Sequence, residues 1–393
     1  MPIQTANIDA PTGFALQFAT ADLTWIIAPG VVVASEDAQA VFSQFSGSTL
    51  INSGLLSGGD GVAVEFEEIN STLSNAAAGQ IYGAVVFRDE HSVVENLGQM
   101  FGDPCIEVHT MSSRIFNSGT MHASGNAIFY LPGGYNAHRL FNSGEINGVF
   151  GAVVGGVGGP LKVDNTGVMA SGYTTIMLYS SPGALTLRNF GLIQGDYTSV
   201  ATPQGDVVRN GGVLATDFDL YHGDDLYDGR SGSAVGYSIL GGAGADTLRG
   251  GAAEDMLYGQ ADADLLQGKG GDDVLGGGGA ADLLTGGAGA DRFVYEAASD
   301  SGAVGGVDRI ADFFAAEHDL IDLRQIDAKP AKPGDQGFDF IGAAAFGAKA
   351  GQLRYAVAGD DLELQGDLNG DGVADLVITL LGVAAVTQAD FAL

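Results

Sequence analysis

The chain has 393 residues, 63 of them glycine, and sets 16 basic side chains against 48 acidic ones for a net charge of −32 at pH 7. That balance disfavours nucleic acid and anionic membrane surfaces as partners, and no run reaches the roughly eighteen apolar residues of a membrane span. One cysteine, Cys105, excludes an internal disulfide and a cysteine-rich metal site; a buried thiol in a β coil accounts for it, although the count alone leaves a cysteine nucleophile open.

Residues 1–50 contain no Lys or Arg, so the basic segment that starts a secretory signal peptide is not expected there. Residues 1–22 read as an N-terminal cap and 23–216 as a repeat array. An Asn-x-Gly-like motif recurs at Asn52, Asn70, Asn96, Asn117, Asn142, Asn165, Asn189 and Asn210. Apolar residues stand two before it (Leu50, Val94, Ile115, Leu140, Val163, Leu187, Val208) and four after it (Leu56, Met100, Met121, Ile146, Met169, Ile193, Leu214), with Ser74 breaking the series. A period of about 22 residues with strand alternation around an Asn turn predicts a right-handed parallel β-helix of about eight coils, its asparagines stacked in a hydrogen-bonded ladder. These coils resemble the N-x-G-x-I coils of secreted adhesins and, more distantly, pectate-lyase-like helices.

Outward positions of the same strands carry Arg114, Arg139 and Lys162 on successive coils, with Arg188 and Arg209 one residue before their asparagines and Arg88 and His91 near that face. They form a candidate track for an acidic polysaccharide, although outward positions are also where charges ordinarily sit. Acidic and basic groups gather at Arg88-Asp89-Glu90-His91 and at Asp103, Glu107 and His109. A uronate lyase or epimerase needs a cation, a base and an acid. Phe101-Gly102-Asp103-Pro104 faintly resembles the Y-G-x-D-P-H type motif of alginate epimerases, but Cys105 stands where histidine belongs. No catalytic residue is assigned.

Between Gly241 and Val294 six nine-residue blocks run without a slip: GGAGADTLR, GGAAEDMLY, GQADADLLQ, GKGGDDVLG, GGGAADLLT and GGAGADRFV. Each has aspartate sixth (Asp246, Asp255, Asp264, Asp273, Asp282, Asp291) and an apolar residue eighth (Leu248, Leu257, Leu266, Leu275, Leu284, Phe293). Glycine-rich half-turns aim carbonyls at one point and the aspartate adds a carboxylate, an all-oxygen shell suited to a hard divalent cation. Two blocks make one coil, so Asp246, Asp264 and Asp282 fall in one column and Asp255, Asp273 and Asp291 in another. Without cations the columns repel themselves, and the metal-free roll is expected to be unfolded. Upstream, Tyr221 to Gly229 reads as a worn block with Asp225 sixth, and its successor has Ala234 where the carboxylate would be.

This stretch resembles the repeats-in-toxin (RTX) family, consensus G-G-x-G-x-D-x-U-x, whose repeats form calcium-bound parallel β-rolls. The resemblance implies carbonyl ligands at positions two and four beside each aspartate: Gly242 and Gly244 with Asp246, Gly251 and Ala253 with Asp255, Gln260 and Asp262 with Asp264, Lys269 and Gly271 with Asp273, Gly278 and Ala280 with Asp282, Gly287 and Gly289 with Asp291. Ala253, Asp262 and Ala280 depart from the fourth-position glycine, and Gln260 and Lys269 from the second.

From residue 295 to the end the chain resembles the C-terminal domain of the serralysin metalloproteases, on Val307-Asp308-Arg309-Ile310-Ala311-Asp312-Phe313, Asp319-Leu320-Ile321-Asp322-Leu323, Phe338-Asp339-Phe340-Ile341-Gly342, Gly351-Gln352-Leu353-Arg354-Tyr355 and the ending Asp390-Phe391-Ala392-Leu393. Within it Asp367, Asn369, Asp371, Gly372 and Asp375 are spaced like the start of an EF-hand, with Ile378 in place of the bidentate glutamate; a calcium loop and a solvated turn between strands are both open. None of the six histidines has the H-E-x-x-H spacing that a serralysin protease requires. By resemblance, an RTX protein of a Gram-negative bacterium leaves through a type I secretion apparatus that reads an uncleaved C-terminal signal, and folds on exterior calcium. The sequence therefore predicts an all-β secreted protein: a β-helix, a calcium-bound β-roll over 217–294 and a small β-rich domain over 295–393. Its expected role is extracellular structure, matrix or adhesion, with self-assembly through columns such as Phe116 and Phe141; the alternative is a polysaccharide-acting enzyme of the uronate lyase or epimerase type.

Overall fold

A computed structural model describes every residue except 89, 110–111, 132–135, 157, 180–181, 230–231, 235 and 303–304. Asp89, one of the clustered charges noted above, lies outside the described residues. Among them the chain is β throughout apart from two single turns of 3-10 helix, Ala315–Glu317 and Gln388–Asp390. It divides into two compact units, 1–217 and 218–393.

The first unit is a parallel β-helix. One sheet stacks Ser92–Asn96, Ser113–Asn117, His138–Asn142, Leu161–Asn165, Leu185–Asn189 and Val207–Asn210, each in register with the next. A second stacks Leu55–Phe66, Gln80–Phe87, Gln99–Phe101, Thr120–Ala123, Glu145–Gly148, Val168–Ser171 and Leu192–Val200. Alternation turns one residue in two inward, and Leu56, Ile81, Met100, Met121, Ile146, Met169 and Ile193 form one fully buried column along the axis. The segment expected as a cap is itself a coil: Ile3–Gln4, Ile8–Ala10 and Leu16–Gln17 pair in parallel with Thr24–Ile27, Val32–Ser35 and Val41–Ser43.

The asparagines form the expected ladder with one correction. The second member is Asn75, paired between Asn52 and Asn96, while Asn70 lies in a turn at φ 61°. Each buried amide donates to the next coil's amide oxygen at 2.8–2.9 Å from Asn52 through to Asn210. The motif's glycine is needed because coils touch there: a Cβ on Gly144 would lie 2.1 Å from the Gly119 carbonyl oxygen, and one on Gly191 2.0 Å from that of Gly167.

The second unit begins as a two-sheeted parallel roll. Thr247–Arg249, Leu265–Gly270, Leu283–Ala288 and Asp308–Ile310 stack on one side; Ser238–Ala243, Met256–Ala261, Val274–Gly279, Arg292–Val294 and Leu320–Asp322 stack on the other. Two blocks therefore make one coil, and the eighth-position residues Leu248, Leu257, Leu266, Leu275, Leu284 and Phe293 are wholly buried between the sheets. The roll runs past residue 294, since Asp308–Ile310 and Leu320–Asp322 continue its two sheets. An antiparallel meander, Gln352–Ala358, Asp361–Asp367 and Leu376–Leu380, closes one side through the pairing of Ile310 with Leu380. Phe391–Ala392 closes the other on Ile321–Asp322.

Candidate metal centre

The block aspartates stack in the two anticipated columns. On one edge the Asp225 N–H donates to Asp246 Oδ1, Asp246 to Asp264, Asp264 to Asp282 and Asp282 to Asp308, all at 2.7–2.9 Å. On the other, Asp255 donates to Asp273, Asp273 to Asp291 and Asp291 to Asp319, at 2.8–3.0 Å. Asp308 and Asp319, which end the columns, were missed as site residues. The signal was present: each is followed two residues later by an inward isoleucine, Ile310 or Ile321, as in the blocks.

Oδ1 is thus consumed by the backbone, and the second oxygen is where chemistry remains. Oδ2 of Asp246, Asp264, Asp273, Asp282 and Asp291 is buried with no hydrogen-bond partner, and each of these residues is at most 4% exposed. Burial pushes their carboxyls up, to about 6 for Asp246, Asp282 and Asp291, about 7 for Asp273 and about 8 for Asp264, with repulsion from neighbouring aspartates adding to it. A buried anionic oxygen lacking a donor is costly unless a cation reaches it.

The loop backbone between the aspartates is unusual. Positions two and four take left-handed backbone in five of the six blocks: Gly242 and Gly244, Gln260 and Asp262, Lys269 and Gly271, Gly278 and Ala280, Gly287 and Gly289. The non-glycine members hold φ between 72° and 92°, a strained region for an L side chain. Gly251 and Ala253 of the second block are not left-handed. First-position glycine also has a reason in the geometry, because a Cβ on Gly241, Gly259, Gly268, Gly277 or Gly286 would meet the Oδ2 of its own block's aspartate at 2.1–2.2 Å. Among the described residues no group of three or more His, Cys, Asp or Glu side chains converges as a metal cluster. The groups that could hold a cation at these edges are the orphan Oδ2 atoms and, as the repeat resemblance implies, carbonyls of positions two and four, a donor set of hard oxygens that suits calcium.

The family model of the peptidase M10 serralysin C-terminal domain matches residues 229–393. The second unit, a parallel β-solenoid, holds the residues that are similar to that family. The solution structure of the R3 subunit of the mannuronan C5-epimerase AlgE6 from Azotobacter vinelandii is 28% identical over 42% of this chain and 86% of that one, with a TM-score of 0.30. No curated protein matches the chain.

The EF-hand-like residues lie together in the turn between Asp361–Asp367 and Leu376–Leu380, and each side chain accepts hydrogen bonds within the turn. Asp367 accepts from the Gly370 and Gly372 N–H groups at 2.6 and 2.9 Å, Asp375 from the Leu368 N–H and the Asn369 amide, Asn369 from the Asp371 N–H and Asp371 from the Val373 N–H. That is the hydrogen bonding of Asx turns, without the orphan oxygens of the columns.

In the first unit Arg114, Arg139 and Lys162 are register partners on successive coils, with Phe116, Phe141, Asp164, Arg188 and Arg209 forming the next outward column. Lys162 and Arg188 share Asp164 at 3.6 and 3.9 Å. Arg114 and Arg139 line a cavity of about 510 Å³ with Asn70, His91, Ser113 and Asn136. Beside them the Phe116 and Phe141 rings stack at 4.9 Å, 3° from parallel. Of the clustered acid and base groups, Arg88 pairs with Glu65 on a preceding coil and His109 Nε2 with Glu107 at 2.5 Å. Asp103 accepts from Ser124 Oγ at 3.1 Å. Ser113 Oγ and His138 Nδ1, 3.0 Å apart, were not anticipated. Burial lowers the imidazole to about 4, which makes it a neutral core partner and a poor base. Cys105 is fully buried, its thiol pushed up to about 12 by desolvation, the opposite of what a nucleophile needs.

Proposed function

We propose that this is a secreted, calcium-binding RTX protein whose second unit folds on calcium outside the cell and whose β-helix serves a structural, matrix or adhesion role. The observation that carries the reading is the pair of aspartate columns with buried, partnerless Oδ2 atoms. Their mutual repulsion opposes folding at the low calcium of a cytosol, and a bound cation converts binding free energy into folding free energy. No helix among the described residues is long and apolar enough to cross a membrane.

The test is a calcium titration of the full chain followed by circular dichroism. The reading expects a cooperative gain of β signal, reversed by chelator; full β signal in chelator, unchanged by calcium, would contradict it.

A second reading, contact with an acidic polysaccharide, is favoured by Arg114 and Arg139 standing beside two parallel phenyl rings on a strongly acidic protein. Guanidinium groups suit sugar carboxylates and flat rings suit sugar faces. Changing Arg114, Arg139 and Lys162 together to Ala should abolish retention on alginate or pectate while the fold persists. New absorbance near 235 nm with either polymer would turn this face into that of a lyase.

A further inference from the structure

Five of the six block aspartates leave Oδ2 without a partner; Asp255 does not, because its Oδ2 accepts the Gly251 N–H at 2.6 Å. The same loop is the one whose second and fourth residues, Gly251 and Ala253, are not left-handed. A positive charge is already there. Lys269, at position two of the next loop on that edge, sends its ammonium back to donate to the Gly250 carbonyl oxygen at 2.7 Å, with Asp228 Oδ1 3.7 Å away. Gly250 is the first-position residue whose α-carbon faces the Asp255 carboxylate, since a Cβ there would meet Asp255 Oδ2 at 2.6 Å. The preceding block carries buried Ala234 where a carboxylate would stand.

We infer that Lys269 is a built-in cation that completes the 250–255 loop, so that Asp255 marks no calcium site although it occupies a block's calcium-binding position. This rests on the reading of the columns as calcium-binding and narrows it: the two edges of the roll load unequally. Three independent features agree. The loop's backbone is not left-handed at positions two and four as in the other five blocks, its carboxylate is satisfied by its own backbone, and an ammonium sits on the carbonyl of the residue whose α-carbon faces that carboxylate. The lysine takes a position where the repeat otherwise favours glycine and holds φ at 77° there. A tethered ammonium needs no exterior calcium, so the loop acquires its positive charge with the fold itself.

The experiment counts calcium bound at saturation by native mass spectrometry on the full chain, as wild type, Asp255→Asn and Asp264→Asn, and measures the calcium midpoint of folding for Lys269→Met and Lys269→Arg. Asp255→Asn should bind as many ions as the wild type, whereas Asp264→Asn binds fewer. Lys269→Met should raise the midpoint several-fold, and Lys269→Arg, which keeps the charge, should leave it near the wild-type value. Loss of an ion in Asp255→Asn, or an unchanged midpoint in Lys269→Met, overturns the inference. A wild type that binds no calcium at all would instead defeat the reading on which it rests.

Discussion

Two glycines of the roll separate the account from a general statement that glycine-rich repeats need glycine. Gly259 opens the third block with ordinary φ, but a Cβ there would lie 2.1 Å from Asp264 Oδ2 and 2.7 Å from the Gly277 carbonyl oxygen. Gly270 lies in the next block, and its nearest contact would be the Ala288 carbonyl oxygen at 3.7 Å. Gly259→Ala must swing the carboxylate away, which forfeits the charge-assisted hydrogen bond from the Asp246 N–H, about 1.5–3 kcal/mol, and adds about 1–3 kcal/mol of overpacking. A loss of about 2.5–6 kcal/mol, spread over about four ions linked to folding, raises the calcium midpoint about three- to twelvefold. Gly270→Ala meets no obstacle and restricts the unfolded chain, so it should stabilise by about 0.4–1 kcal/mol and leave the midpoint unchanged or slightly lower. Circular dichroism against free calcium measures both. Equal midpoints for the two variants would refute the claim that the carboxylate fills the space over the first-position glycine.

In the first unit, Asn117→Ala removes the acceptor of the Asn96 amide and the donor to Asn142 Oδ1 and the Glu145 carbonyl; a cost of about 3 kcal/mol lowers its Tm by roughly 6–12 °C whether or not calcium is present. Desolvation raises the Asp206 carboxyl to about 7, so the folded unit holds a proton that the unfolded chain has released between about pH 4 and 7, and this group's contribution falls as pH rises through that window. His138, lowered to about 4, acts with the opposite sign below its ordinary value, so the measurement is the urea midpoint of Asp206→Asn minus that of the wild type, which should grow from pH 5 to pH 8. Cys105 should resist a thiol reagent in the native protein and react fully in denaturant; rapid native labelling would mean that its coil opens.

The nine-residue register made both aspartate columns legible because a period shared by charge and apolar residue leaves one way to wind the chain. Where loops change length, that guide fails. Asp308 follows Asp282 by a longer excursion than the block repeat allows, so Ile310 two residues on is its one mark in the sequence, and the hydrogen bond from the Asp282 N–H establishes it as the next rung. Asn70 looked like a ladder residue because Ser71 and Thr72 imitate the motif, while the true rung, Asn75, is separated from its glycine, Gly79, by an inserted Ala76-Ala77-Ala78. Lys269 was visible only as a departure from glycine; that its ammonium reaches the Gly250 carbonyl depends on how successive coils stack, which no linear spacing encodes. The basic track was readable from alternation alone, but its division into Arg114 and Arg139 beside a cavity and Lys162 and Arg188 tied to Asp164 required the register.

The most direct measurement of the central claim is amide hydrogen exchange on the full chain, in millimolar calcium and in chelator, read at the two ladders. The N–H groups of Asp246, Asp264, Asp273 and Asp282, each bonded to the next carboxylate, should be protected in calcium and exchange freely in chelator, while the Asn-ladder strands of the first unit stay protected in both. Column amides equally protected in chelator would contradict the account, because the stacked carboxylates would then hold together without a cation.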